Sequence, residues 1–144
     1  MTSAPRSLTL SLLEDRYTVL RFMPEATPPA WAMTGDFFSI TRTKEELSIV
    51  TKIGNLPSWE EPQSEWHAFK VHGPFAFTEI GILASLTRPL ADAAVGIFVV
   101  STFDTDYLLV ERSAVHVAIR SLRHAGHTIL NSESLSEEMK ENEG

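Results

Sequence analysis

Ser101, Thr102, Phe103, Asp104, Thr105 and Asp106 gather two carboxylates, three hydroxyls and an aromatic ring into six consecutive positions. Either carboxylate could receive an ammonium or guanidinium through charge-assisted hydrogen bonds, which are stronger than neutral ones. Upstream, Thr78 and Glu79 suit the first turn of a helix, where free N–H groups and the positive end of the dipole favour a carboxylate. Gly81 has no Cβ and permits close backbone approach. The two stretches together supply what the two ends of a zwitterion need, without a catalytic group. The plainer reading of Asp104 and Asp106 is as turn formers at a hairpin tip. Paired carboxylates also serve acid–base catalysis, but the sequence offers no second polar cluster to hold a substrate, and no nucleophile–base pair. No enzyme is expected.

The elements that must position these groups run from Phe77 to Glu111 and beyond. From an N-cap at Thr78, the residues Ile80, Leu83, Ala84, Thr87 and Ala91 fall on one helical face. Pro89 should kink that helix or begin a new turn. Val95–Phe103 is apolar nearly throughout, as a central strand would be, and Tyr107–Val110 is its hairpin partner. A second helix, with Ser113 as cap, carries Val115, Ala118, Ile119 and Leu122 at i, i+3, i+4 and i+7. Arg120, Arg123 and His124 suit its negative end and Gly126 its C′ position. His127–Leu130 closes the sheet, and Trp66–His72 opens it before Gly73-Pro74. The order β-α-β-β-α-β over residues 66–130 predicts an α+β, ferredoxin-like sandwich with both helices on one face of an antiparallel sheet.

Ahead of this unit, Ser7–Leu13 and Tyr17–Phe22 read as strands around a polar turn at Glu14-Asp15-Arg16. Pro24, Pro28 and Pro29 exclude a regular helix from the next stretch. Asp36–Arg42 and Leu47–Thr51 form a hairpin about Thr43–Glu46, and Gly54–Glu65 is the best linker. Sliding the chain on itself by 60 residues aligns 36–52 with 96–112. Phe38 meets Phe98, Thr41 meets Ser101, Glu46 meets Asp106 and Val50 meets Val110; Leu8–Leu12 falls over Ala68–His72. The first copy has proline-rich chain, Thr18 to Thr34, where the second has its helix. Two units follow, 1–64 and 65–130, with an acidic, disordered tail at 131–144.

The chain has 144 residues and a net charge of −7, of which the tail, with five Glu and one Lys, supplies −4. No basic stripe with interleaved aromatics exists, which argues against nucleic acid as a partner. No run of apolar residues is long enough for a signal peptide or a membrane span, so a cytoplasmic protein with no membrane partner is expected. There is no cysteine. The histidines 67, 72, 116, 124 and 127 lack metal-ligand spacing and read as surface or helix-end groups. No metal and no cofactor are expected.

The helix–strand core GILASLxxPLAxAxVGIF and the strand end STFDTD together resemble the ACT domain. They are most similar to the tandem ACT family that includes bacterial proteins and the cytosolic arginine sensors of animals. The opening PEATPPAWAMTGDFFSITRTKEELSIV is similar to that family's degenerate first copy, and the resemblance spans roughly residues 5–130. It implies non-enzymatic, regulatory binding of an amino acid or similar metabolite at an interface between ACT units, in a homodimer that signals to a protein partner. The implied ligand-binding positions are Thr78, Glu79, Ile80, Gly81 and Ile82, with Ser101, Thr102, Phe103, Asp104, Thr105 and Asp106. Phe103 and Asp106 match the ring and acid that contact the ligand in the arginine sensors. Thr105 stands where some relatives have an aromatic residue, so arginine itself is not carried over. The alternative is an oligomerisation module that uses the same surface without a small molecule.

Overall fold

Alternating apolar residues from Leu8 onward build one long strand, β1 (Thr9–Phe22). In this computed structural model, which describes residues 7–73, 80–133 and 135, the turn expected at Glu14-Asp15-Arg16 does not form. Glu14 and Asp15 are solvent-exposed in extended backbone, and Arg16 pairs with Glu65 at 2.9 Å. Charges with water or a partner on their side of a strand require no loop. The chain divides into two compact units, residues 15–67 and residues 1–14 with 68–144. This differs from a split at residue 64, because the first half of β1 packs with the C-terminal unit.

In the unit of residues 15–67, β2 (Ser39–Arg42) pairs with β3 (Leu47–Lys52), and β3 pairs with Tyr17–Phe22 of β1, both antiparallel. Where the sequence has Pro28-Pro29, the chain makes a 3-10 turn at Ala30–Ala32 instead of a helix. Ala32 packs with Leu20, Leu47 and Ile49 in a small core, and its carbonyl accepts from Thr51 Oγ1 at 2.9 Å. Tyr17 meets Phe37 edge to face, 5.4 Å between ring centres.

The other unit contains β4 (Trp66–Val71) from Ala68 on, α1 (Ile82–Asp92), β5 (Phe98–Ser101), β6 (Asp106–Glu111), α2 (Val115–His124) and β7 (Thr128–Leu130). Its strands run in the order β7, first half of β1, β4, β6, β5. β7 is parallel to β1, with Leu10 opposite Ile129. The expected β-α-β-β-α-β succession is present, but β1 is inserted as an extra strand between the closing strand and β4. Alternate strand residues Leu8, Leu10, Leu12, Phe69, Val71, Leu108 and Val110 bury against the helices in one cluster. Each such side chain contributes roughly 1.5–3 kcal/mol when fully buried.

Helix α2 buries Val115, Ala118, Ile119 and Leu122, as its period requires. Ser113 does not cap it; a 3-10 turn at Arg112–Ala114 leads in. Gly126, at φ +99, ends it. Helix α1 begins later than expected, after Gly81 in the left-handed region at φ +84, and Thr78 lies outside the described residues. Its buried face is Ile82, Leu86 and Leu90; Ile80 is 92% exposed, and Ala84 and Ala91 are exposed too. Small residues gain little from burial, so three large side chains at i, i+4 and i+8 determine the face.

Pro89 stays inside α1. It has no N–H for Ser85 O, and that carbonyl instead meets His127 Nε2 at 2.9 Å. Leu8 N–H donates to His127 Nδ1 at 3.1 Å, which fixes Nε2 as the donor. His127, expected at the surface, is 5% exposed, and His67 is buried as well. Strand β5 is shorter than the expected Val95–Phe103 and ends the strand order rather than lying centrally. Val95 is buried beneath α1, its N–H on Leu90 O at 2.9 Å. Leu135, assigned to the tail, is buried in the main core; residues 134 and 136–144 lie outside the described residues.

Both hairpins close with four-residue turns, Arg42 opposite Leu47 and Ser101 opposite Asp106. Matching positions therefore differ by 59 rather than 60, and Glu46 corresponds to Thr105, not Asp106. The stretch of β1 that pairs with β3 is Tyr17–Phe22, not Leu8–Leu12.

Candidate ligand-binding site

The β5–β6 turn is held by its own threonines. Thr102 N–H donates to Thr105 O at 2.8 Å, and Thr102 Oγ1 reaches the same carbonyl at 3.1 Å and the Thr105 N–H at 3.3 Å. Thr105 is only 7% exposed, and its hydroxyl donates to Val71 O at 2.6 Å. That bond pins the tip to the end of β4. There Asp104 and Thr105 share a cavity of about 330 Å³ with Lys70, His72 and Gly73.

Each side chain has a local reason for its place. Lys70 is the exposed residue of β4, between buried Phe69 and Val71. His72 is fixed by its N–H to Thr9 O at 2.8 Å and by Nε2 with Ser11 Oγ at 2.5 Å. Gly73, next in the lining, carries no side chain. Neither the Asp104 carboxylate nor the Lys70 ammonium has an ion pair among the described residues. An exposed ion pair is worth little in water, but a ligand that excludes water strengthens both contacts. The cavity thus presents a free carboxylate, a free ammonium and an imidazole.

Of the eleven positions from the sequence, Asp104 and Thr105 line this cavity. Asp106 is half-buried, and its Oδ1 accepts from Ser101 Oγ at 2.5 Å. Thr102 is exposed, and Phe103 is 80% exposed. Ile80 is exposed, Ile82 is buried in the core, and Gly81 has open space where a Cβ would stand. Its positive φ, not a close neighbour, is what needs glycine there. Thr78 and Glu79 lie outside the described residues. The sequence reading missed Lys70, His72 and Gly73, which a basic outward position at a strand end before a glycine break could have marked. Among the described residues no His, Asp or Glu cluster could hold a metal ion, and no helix is long and apolar enough to cross a membrane.

The family model of the ACT domain matches residues 61–124. A second model, of an N-terminal domain, matches residues 15–59, inside the smaller unit. Among solved structures, protein Atu0741 from Agrobacterium tumefaciens is similar at 43% identity and a TM-score of 0.80, covering 87% of this chain and 93% of that one. VC0802 from Vibrio cholerae, a protein of unknown function described as a possible transport protein, has a similar fold at 14% identity and a TM-score of 0.65, covering 83% and 91%. The aspartate kinase of Clostridium acetobutylicum, an allosteric enzyme, is similar at 15% identity and a TM-score of 0.55, with 77% of this chain matching 33% of the kinase. No match is found among curated proteins.

Proposed function

We propose, from the premise that this chain belongs to the same family as Atu0741 and carries an ACT domain, that it is a non-enzymatic sensor of a small zwitterion, an amino acid or a close relative. An ACT domain fits a regulatory, small-molecule-binding role in general. The observation that carries the finer reading is the Asp104–Lys70 cavity, with opposite unpaired charges on its lining. The ligand's ammonium meets Asp104 and its α-carboxylate meets Lys70, each through a charge-assisted hydrogen bond. A volume near 330 Å³ is at the small end for ligand pockets and suits an amino acid better than a nucleotide.

In this reading the ligand lies at an interface between ACT units, residues 15–67 are a degenerate first copy, and the chain acts in the cytoplasm as a homodimer. The matching four-residue turns support the repeat, and β5 at the end of the strand order supports strand-to-strand pairing of two copies. The arginine-sensor kinship belongs to the same proposal. The test is thermal unfolding against the twenty amino acids, one at a time. A ligand at 100 times its Kd adds about 2.7 kcal/mol. That gain should vanish in Asp104→Asn and Lys70→Gln. Asp106, already engaged by Ser101, should tolerate Ala with the response intact. No rise in midpoint with any amino acid at millimolar concentration sinks the reading. The position of β5 also favours a second reading, an oligomerisation module without a ligand, which predicts a sedimentation mass that no metabolite changes.

A further inference from the structure

The geometry points to a second binding site, in the cleft between α1 and α2, for a small organic anion with an apolar body: a carboxylate or a phosphate monoester. The cleft has a volume of about 790 Å³, within the range of ligand pockets. Half of its lining is small or compact. Ala93 and Ala125 form walls with the ring of Pro89, and Ser85 and Ser121 lie on the two helices between them.

The rim is cationic in an otherwise acidic protein. Arg88 comes from α1, Arg120 and His124 from α2, and Asp92 is the one carboxylate among the lining residues. Neither arginine has a hydrogen bond or ion pair among the described residues. Each presents a planar fork of N–H donors that matches a carboxylate or phosphate. The neighbouring Arg123 is different: it is occupied by Ile129 O at 3.2 Å and Ser132 Oγ at 3.1 Å.

His127 and the helix-end carbonyls are already engaged within the protein. His127 lines the cleft with both ring nitrogens engaged, by Leu8 N–H and Ser85 O. Carbonyls at the ends of both helices are taken up by backbone N–H groups, Leu90 O by Val95 and Leu122 O by His127. The negative ends of the two dipoles are therefore partly satisfied. What remains is a largely apolar slot with two guanidinium groups that have no partner among the described residues. An anionic head on an apolar body complements both features, and the site is separate in chemistry and lining from the Asp104–Lys70 cavity.

The test is titration of the whole protein with phenyl phosphate and with 3-phenylpropionate at low ionic strength, where exposed charges are least screened. Calorimetry gives the affinity and backbone amide shifts give the place. Saturable binding of at least one of them is expected, with shifts in residues 85–93 and 120–127. The double variant Arg88→Gln/Arg120→Gln should bind at least about tenfold more weakly, a loss of 1.4 kcal/mol or more. Both positions are exposed, so the variant should keep the wild-type circular dichroism. Asp104→Asn should bind both anions as the wild type does, whatever it does to amino-acid binding. The proposal is overturned by absence of saturation with both probes, by equal affinity in the folded double variant, by shifts confined to residues 102–105, or by inorganic phosphate binding as tightly as phenyl phosphate.

Discussion

The turn at residues 43–46 and the turn at residues 102–105 close with the same bonds. Thr43 N–H donates to Glu46 O at 2.9 Å, as Thr102 N–H donates to Thr105 O at 2.8 Å. Thr43 Oγ1 accepts from the Glu45 and Glu46 N–H groups, as Thr102 Oγ1 does from Thr105. Beyond the shared turn they diverge. Around the first, Arg21 donates to Glu45 O at 3.0 Å, and Arg42 donates to Pro24 O and to Ala26 O. The chain's own arginines are spent there on its own carbonyls. Around the second, Thr105 is buried and anchored to Val71, and Asp104, which lines a cavity with Lys70, has no ion pair among the described residues. The turn is only a scaffold. Whether it becomes a site depends on the fourth turn residue and on what the next strand brings.

The largest difference should come from the cores beneath the hairpins. Ile49 and Leu108 occupy matching positions, both fully buried, but Leu108 belongs to the large cluster and Ile49 to the small one. A small cluster edged by half-buried side chains relaxes more readily around a cavity. Leu108→Ala should cost about 4 kcal/mol and Ile49→Ala about 2 kcal/mol in urea unfolding, both inside the range for large-to-small core changes. Equal costs would show that the small core is packed as rigidly as the large one.

Next in size is the anchor. Thr105→Val keeps the shape but leaves Val71 O without its donor, at about 1–3 kcal/mol. Its counterpart change, Glu46→Ala, should fall within about 0.5 kcal/mol, as surface changes do. A costly Glu46→Ala would mean that the first turn is anchored after all. The smallest effect tests the shared turn itself. Thr43→Ala and Thr102→Ala should each cost about 0.5–1.5 kcal/mol for the lost hydroxyl bonds, and unequal values would break the equivalence.

Long, strongly periodic segments were legible in the sequence. Val115, Ala118, Ile119 and Leu122 lie where their spacing places them, and the two hairpins form within a few residues of expectation. The errors arise where a tertiary partner supplies what local rules withhold. Glu14 to Arg16 stays extended because Glu65 is available to Arg16. Pro89 stays helical while His127 meets the carbonyl it leaves unpaired. The α1 face differs from the expected one because alanine and threonine gain far less from burial than isoleucine and leucine do. For the site, Asp104 and Thr105 could be named from the hairpin tip. Lys70 and His72 could not, because thirty residues and more separate them from it, and they meet it through the β4–β6 pairing and the Thr105–Val71 bond.

The insertion of β1 beside β7 has a consequence for synthesis. Leu8 is among the first described residues made, and the histidine that holds its N–H comes 119 positions later. At about 5–20 residues per second, the β7-facing edge of Thr9–Ser11 waits on the order of ten seconds for Thr128–Leu130 to be made. Its other neighbour, β4, arrives after roughly half that time. During the interval this apolar edge is a template for any passing strand. The first of the described strands to be made is thus among the last of them to be fully covered, and its safe passage depends on how quickly Thr128–Leu130 follows.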